Sequence, residues 1–361
     1  MLYFSKLRIT FISLVTLFFI FITFSNFQES ENSFISKKIN LGLDLQGGSY
    51  LLLEIDNNPV KLQKLQNTIS IIRNYLKDKK IVFTDLRIKD EAIFFNISKP
   101  DNETVKFFFL DKESEINPYY NLYKSHQFDL SVIENEFKLT ISKYGLIEIK
   151  TSSQDQAIEI VRRRVDEVGT NEPNILKRGN NRILVELPGL DDPMRIKSLL
   201  GKTANLTFRF VSQNADSTYG VEKLFYEDEI KEALVSKRII LSGENLLDAQ
   251  ARMDNQTNET VVSFNLDRVG TKRFGKATST GVGKQLAIIL DGKIISAPVI
   301  RDAILGGSGQ ISGNFTFQSA TDLALLLRSG ALPAPMNIIE ERTVGPDLGQ
   351  DSIDAGILAL I

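Results

Sequence analysis

At roughly 150 residues per domain, a chain of 361 residues has room for two or three domains with a sizeable buried core. Its 43 Lys and Arg against 45 Asp and Glu leave a net charge of −2, without the basic excess that phosphate-backbone binding usually requires. No Cys and one His, His126, exclude disulfide scaffolds, thiolate nucleophiles, Cys-ligated clusters and multi-histidine metal sites, and no cofactor is expected.

The first predicted element is the uncharged run from Ile9 to Gln28, rich in Ile, Leu, Val and Phe. About 20 helical residues span about 30 Å, the thickness of a bilayer's hydrocarbon core. Lys6 and Arg8 precede the run while Glu29 and Glu31 follow it, so the positive-inside rule keeps the N-terminus cytoplasmic and delivers the bulk of the chain outside. The alternative, a cleavable signal peptide, lacks an A-x-A-like site. At the other end Ala355 to Ile361 rises in hydropathy and stops, which reads as the truncated start of a second membrane helix.

Between these ends, Ile39, Leu41, Leu43 and Leu45 alternate before Gly47-Gly48, and Tyr50 to Ile55 resumes as a strand. Leu62, Leu65, Ile69, Ile72 and Leu76 form one helix face, and Ile81 to Ile97 a hairpin turning at Lys89-Asp90. Phe107-Phe108-Phe109 reads as a short buried strand, Phe137 to Ile141 as an alternating strand and Leu146 to Ile149 as another. Ser153 would cap a helix that ends at Gly169. A strand at 182–187, a helix opened by Asp192-Pro193 and a strand at 204–211 complete a ferredoxin-like pattern.

A second unit begins near Ile239. It contains a turn at Ser242 to Asn245, a strand at 261–266, a helix at 271–278 and a strand at 285–290. Asp291-Gly292 then marks a hairpin. Ser319 would cap a helix with Asp322 as its third residue and Gly330 beyond its end, after which Pro333 and Pro335 force an extended segment.

Several chemical motifs fail on inspection. Gly201-Lys202-Thr203 resembles the end of a phosphate-binding loop, but Ile196 stands where Gly is needed, and Gly281-Val282-Gly283-Lys284 fails similarly. His126, among Tyr119, Tyr120 and Tyr123, reads as locally hydrogen-bonded. Arg162-Arg163-Arg164 fan out around a helix and read as solvated charges. Sequons at Asn96, Asn102, Asn205, Asn255, Asn258 and Asn314 would suggest glycosylation in a eukaryotic secretory protein, and an Asn-rich chain produces them by chance equally well.

What remains distinctive is glycine and proline geometry. Asp44-Leu45-Gln46-Gly47-Gly48, Leu290 to Pro298 with its Asp291-Gly292 turn, Leu327 to Pro335 with Arg328, Gly330, Pro333 and Pro335, and Glu341 to Pro346 with Gly345 together resemble the SecD family. These are subunits of the Sec export machinery within the resistance-nodulation-division superfamily. No match is recognisable from about Lys99 to Tyr144.

The resemblance implies an α+β chain with an N-terminal transmembrane helix, a ferredoxin-like periplasmic base, an inserted α+β head and the start of a second transmembrane helix. The corresponding segments are 1–8 cytoplasmic, 9–28 membrane helix, 29–240 base, 241–317 head, 318–349 return to the base and 350–361 the second helix. It further implies a non-enzymatic inner-membrane subunit that promotes proton-motive-force-dependent export by gripping the emerging, unfolded preprotein. Its implied partners are SecF, the SecYEG channel and YajC. The motif residues take structural or coupling roles, and none is catalytic or metal-binding. The alternatives are a fragment of an efflux transporter of the same superfamily and a membrane-anchored periplasmic enzyme.

Overall fold

The computed structural model describes residues 5–25, 47–169, 173–189, 193–212, 220–227, 231–254, 257–344, 355 and 358–359. The chain divides into two units, Met1–Gly47 with Val344–Ile361, and Gly48–Thr343. In the first unit, α1 (Lys6–Ser25) is a helix whose side chains, Phe11, Leu14, Phe18 and Phe21 among them, are exposed. Among the described residues no helix is long and apolar enough to cross a membrane. Lys6 and Arg8 occupy the first turn of α1, so its uncharged part within those residues is 9–25, and 26–28 of the expected span lie outside them. Most of the expected second membrane helix also lies outside.

The second unit opens with β1 (Gly48–Ile55), whose buried Leu51 and Leu53 alternate with half-exposed neighbours. It pairs antiparallel with β9 (Arg182–Pro188), Leu51 opposite Val185 and Leu53 opposite Ile183. With β8 (Asn174–Arg178) and β19 (Met336–Val344) they form a 4-stranded sheet in the order β19-β1-β9-β8. Taken along the chain, β1, β8, β9 and β19 are its first to fourth strands, and their arrangement is that of the split β-α-β-β-α-β motif. Its helices are α4 (Lys143–Val168) and α5 (Pro193–Gly201). Ala157, Val161 and Val165 of α4 and Ile196 and Leu200 of α5 share one core with the sheet.

Two insertions interrupt this motif. Between β1 and α4 come α2 (Asn58–Asp78), β2 (Phe83–Lys89), β3 (Ala92–Ile97), α3 (Asn102–Leu110), the short pair β4 (Tyr119–Tyr120) and β5 (Ser125–His126), β6 (Phe128–Ile133) and β7 (Glu136–Ile141). They build a sheet in the order β2-β3-β7-β6 over a core of its own around Phe95, Phe109, Phe128 and Phe137.

Between α5 and β19 come β10 (Leu206–Phe210), β11 (Val221–Phe225), β12 (Glu232–Ser236), β13 (Leu241–Ser242), β14 (Leu246–Met253) and β15 (Thr260–Leu266). They continue with α6 (Arg268–Thr280), β16 (Leu286–Leu290), β17 (Lys293–Ser296), β18 (Ser308–Ser312) and α7 (Phe317–Ser329). The sheets β13-β10-β16-β17 and β14-β15-β18 close on one another and on α6 and α7 through Phe208, Phe264, Phe274, Ile288 and Leu323.

Several expected elements change. Phe107-Phe108-Phe109 lies in α3, not in a strand: Val105 and Phe109, four residues apart, are buried on one face, Phe107 points outward, and Phe108 stacks on Tyr75 at 3.9 Å. Residues 146–149 are helical because Ser142, not Ser153, caps α4. Its hydroxyl accepts from Gly145 N at 2.9 Å and donates to His126 O at 2.7 Å. Gly145 is required there, since a Cβ would lie 2.2 Å from the Gln127 carbonyl oxygen. Ser153 is buried in mid-helix. Thr316, not Ser319, caps α7, accepting from Ser319 N at 3.1 Å. The strand expected at 204–211 in the ferredoxin-like pattern is β10, which instead pairs with β16 and β13 in the second insertion. The first strand of the motif is β1.

Candidate functional site

Every residue of the second insertion lies between two connections, one leading from α5 into β10 and one returning from α7 to β19. They run side by side, Leu332 N donating to Thr203 O at 2.8 Å. Gly330 begins the return with φ +93°, a conformation that favours glycine, and Pro333 and Pro335 hold it extended until Pro335 O accepts from Asp56 N at 2.9 Å.

Asp291 and Gly292 join β16 to β17 with φ +49° and +81°, the left-handed pair of a type I′ turn. The Asp291 carboxylate does more than turn the chain. It accepts from Asn205 N at 2.8 Å, Ala204 N at 3.1 Å and the Thr203 hydroxyl, so the hairpin tip grips the outgoing connection. Arg328, near the end of α7, donates to Ala249 O at 3.3 Å and pairs with Glu167 of α4. Arg195 of α5 meets Asp322 of α7 at 2.8 Å, and Lys197 of α5 meets Glu341 of β19.

The residue that organises the junction was not expected. Arg162 and Arg163 are solvated as the sequence suggests, but Arg164 is 1% exposed. Its Nη1 donates to Leu199 O at 2.7 Å and Lys202 O at 2.5 Å, and its Nη2 to Gly330 O at 3.1 Å and Thr203 O at 3.4 Å. The signal was present: Arg164 stands three residues after Val161 and seven after Ala157, on the face those residues bury. Burial pushes its guanidinium down to about 10, and the Asp291 charge opposes that shift. The group therefore stays cationic throughout the neutral range. The desolvation cost would lift only as pH rises through about 10, where the folded form releases its proton first. Lys202 and Thr203, from the failed phosphate loop, thus turn carbonyls toward a cation instead of amides toward a phosphate.

Beside the junction a cleft of about 570 Å³ is lined by Tyr226, Leu290, Ile295, Phe315, Leu323 and Leu326, with Lys202, Glu227 and Asp322 among its polar groups.

The motif residues divide between places. Asp291, Arg328 and Gly330 meet at the junction, and Pro333 and Pro335 lead away from it. Gly47 and Gly48, with φ +72° and +135°, open β1 at the end opposite the Pro335 contact, about 23 Å away along eight strand residues. Asp44, Leu45, Gln46, Gly345 and Pro346 lie outside the described residues. His126 is locally bonded, its Nδ1 3.0 Å from Asn117 O and its ring edge-on to Tyr119.

A split sheet that carries a large insertion between two adjacent connections, with glycine and proline on the returning one, defines the class of chain. Comparison with known proteins gives that class a family. The SecDF P1 head subdomain matches 222–334, the N-terminal P1 domain of protein translocase subunit SecDF matches 154–213 and the SecD/SecF GG motif matches 33–59.

Protein translocase subunit SecD of Rickettsia bellii is 40% identical over 356 residues, covering 96% of this chain and 67% of that protein. SecD of Acetobacter pasteurianus is 41% identical over 340 residues, covering 90% and 63%. A crystal structure of SecDF in a super-membrane-facing form aligns with 99% of this chain and 38% of its own, at TM-score 0.52 and 26% identity. The chain belongs to the SecD family of protein translocase subunits. It spans about two thirds of these curated relatives and 38% of the solved SecDF chain.

Proposed function

We propose that this chain is the membrane-anchored clamp of an accessory Sec export subunit, which holds the emerging preprotein so that it does not slide back. The uncharged run 9–28 anchors it in the inner membrane, with 1–8 cytoplasmic and the remainder periplasmic; the ring of exposed apolar side chains on α1 supports that placement. The whole second insertion, 204–329, acts as the head, jointed where the chain leaves at Thr203 and returns at Gly330, because Leu206, Phe208, Leu323 and Leu327 share one core with 241–317; residues 29–203 and 330–349 act as the base, and 350–361 opens a second membrane helix. The proton-motive force drives the head through parts of the protein beyond this chain, with SecF, the SecYEG channel and YajC as partners. Asp44, Leu45, Gln46, Gly47, Gly48, Glu341, Gly345 and Pro346 serve coupling to the membrane helices, while Asp291, Gly292, Arg328, Gly330, Pro333 and Pro335 serve the joint. Nothing in this reading requires bond chemistry.

The observation that carries the proposal is the cleft at the joint. Its wall belongs to the second insertion apart from Lys202, and its mixture of apolar side chains such as Ile295, Phe315 and Leu323 with polar groups such as Glu227 and Asp322 suits varied segments of an unfolded chain. A photo-crosslinking side chain placed at Phe315 of the full-length protein should capture a translocation-stalled preprotein, whereas one at exposed Leu122 of the first insertion should not. Equal capture at both positions would overturn the assignment.

A further inference from the structure

Arg164 lies on α4, packed in the β1 sheet core, and it reaches the ends of two other helices at once. Leu199 O belongs to the last turn of α5, which shares that core, and Gly330 O belongs to the cap of α7, whose Leu323 and Leu327 lie in the core of the second insertion. A cation at a helix C-terminus satisfies carbonyls that the helix leaves unbonded. Here one guanidinium does so for both sides of the joint, and the shared acceptor Thr203 O also binds Leu332 N.

If the insertion turned against the sheet, the bonds from Arg164 to Leu199 and Lys202 could persist, because those residues move with α4 and α5. The bond to Gly330 could not. Stability alone does not explain the residue, since a buried cation held by carbonyls, even with the Asp291 charge nearby, is commonly matched or surpassed by a packed apolar side chain. Its Nε, moreover, is buried with no partner, leaving the guanidinium a spare donor for another arrangement.

We propose that Arg164 is a positioning residue that pins the end of α7 to the sheet, and that release of its Nη2 bond to Gly330 frees the head to turn. The proposal rests on the moving-head reading above. Its test places spin labels on the full-length protein in lipid nanodiscs, through R178C on β8 and M253C on β14, both exposed. The parent should populate two label distances. In Arg164→Met, which keeps length and removes charge and donors, their ratio should shift about tenfold toward the second orientation, the effect of losing one charged hydrogen bond. Arg164→Lys, which retains a cation without the planar fork, should fall between, and it carries the test if the Met variant fails to fold. Two distances in the parent with an unchanged ratio in the variants, whatever their melting temperatures, would overturn the pin alone. A single distance in parent and variants alike would overturn both the pin and the moving head.

Discussion

At Asp291 one carboxylate joins the hairpin tip to the outgoing connection by accepting from Asn205 N, Ala204 N and the Thr203 hydroxyl. Its neighbourhood is partly solvated, so water replaces some of what a substitution removes. Asp291→Ala should cost about 1 kcal/mol, or about 2 °C in melting temperature, measurable by calorimetry on the purified protein. Arg164 is its buried complement, and its absence from the reading of the sequence has a physical cause. A run of arginines reads as solvated because each residue type is seldom buried, but the helical phase set by Ala157, Val161 and Val165 outranks residue type. The motif residues themselves were legible because glycine at φ +81° or +93° and proline before a strand leave chemical marks in sequence.

Among the elements, those with strong local punctuation came through. The hairpin turning at Asp291-Gly292, the end of α4 at Gly169 with φ +82° and the strand at 182–187 stand where expected. Elements whose local pattern competed with helical phase did not. Residues 146–149 alternate like a strand, yet Ser142 starts the helix well upstream, and three consecutive phenylalanines hide a helical pair at Val105 and Phe109. Strand partnership was illegible for another reason: β10 bonds to β16, about 80 residues later, and local pattern carries no record of such a pairing. On α7, whose end sets the joint, the cap at Thr316 is testable. Thr316→Ala should lower stability by about 1 kcal/mol in chemical denaturation, with an unchanged m-value.

Over the whole molecule, one small split sheet accepts two large insertions. The first, 58–141, closes on a core of its own and includes the stretch where no family motif was recognisable. The second returns to the sheet through a joint bonded by Arg164, Asp291, Arg195 and Asp322. The proposed clamp works only if the joint opens and closes. The most direct measurement bridges R195C on α5 to D322C on α7 in the full-length protein with a short, cleavable bismaleimide. Preprotein translocation is then followed in inverted membrane vesicles, with each single-cysteine protein treated identically. The bridged protein should lose its stimulation of export and regain it when the linker is cleaved. Undiminished export by the bridged protein would contradict a jointed clamp.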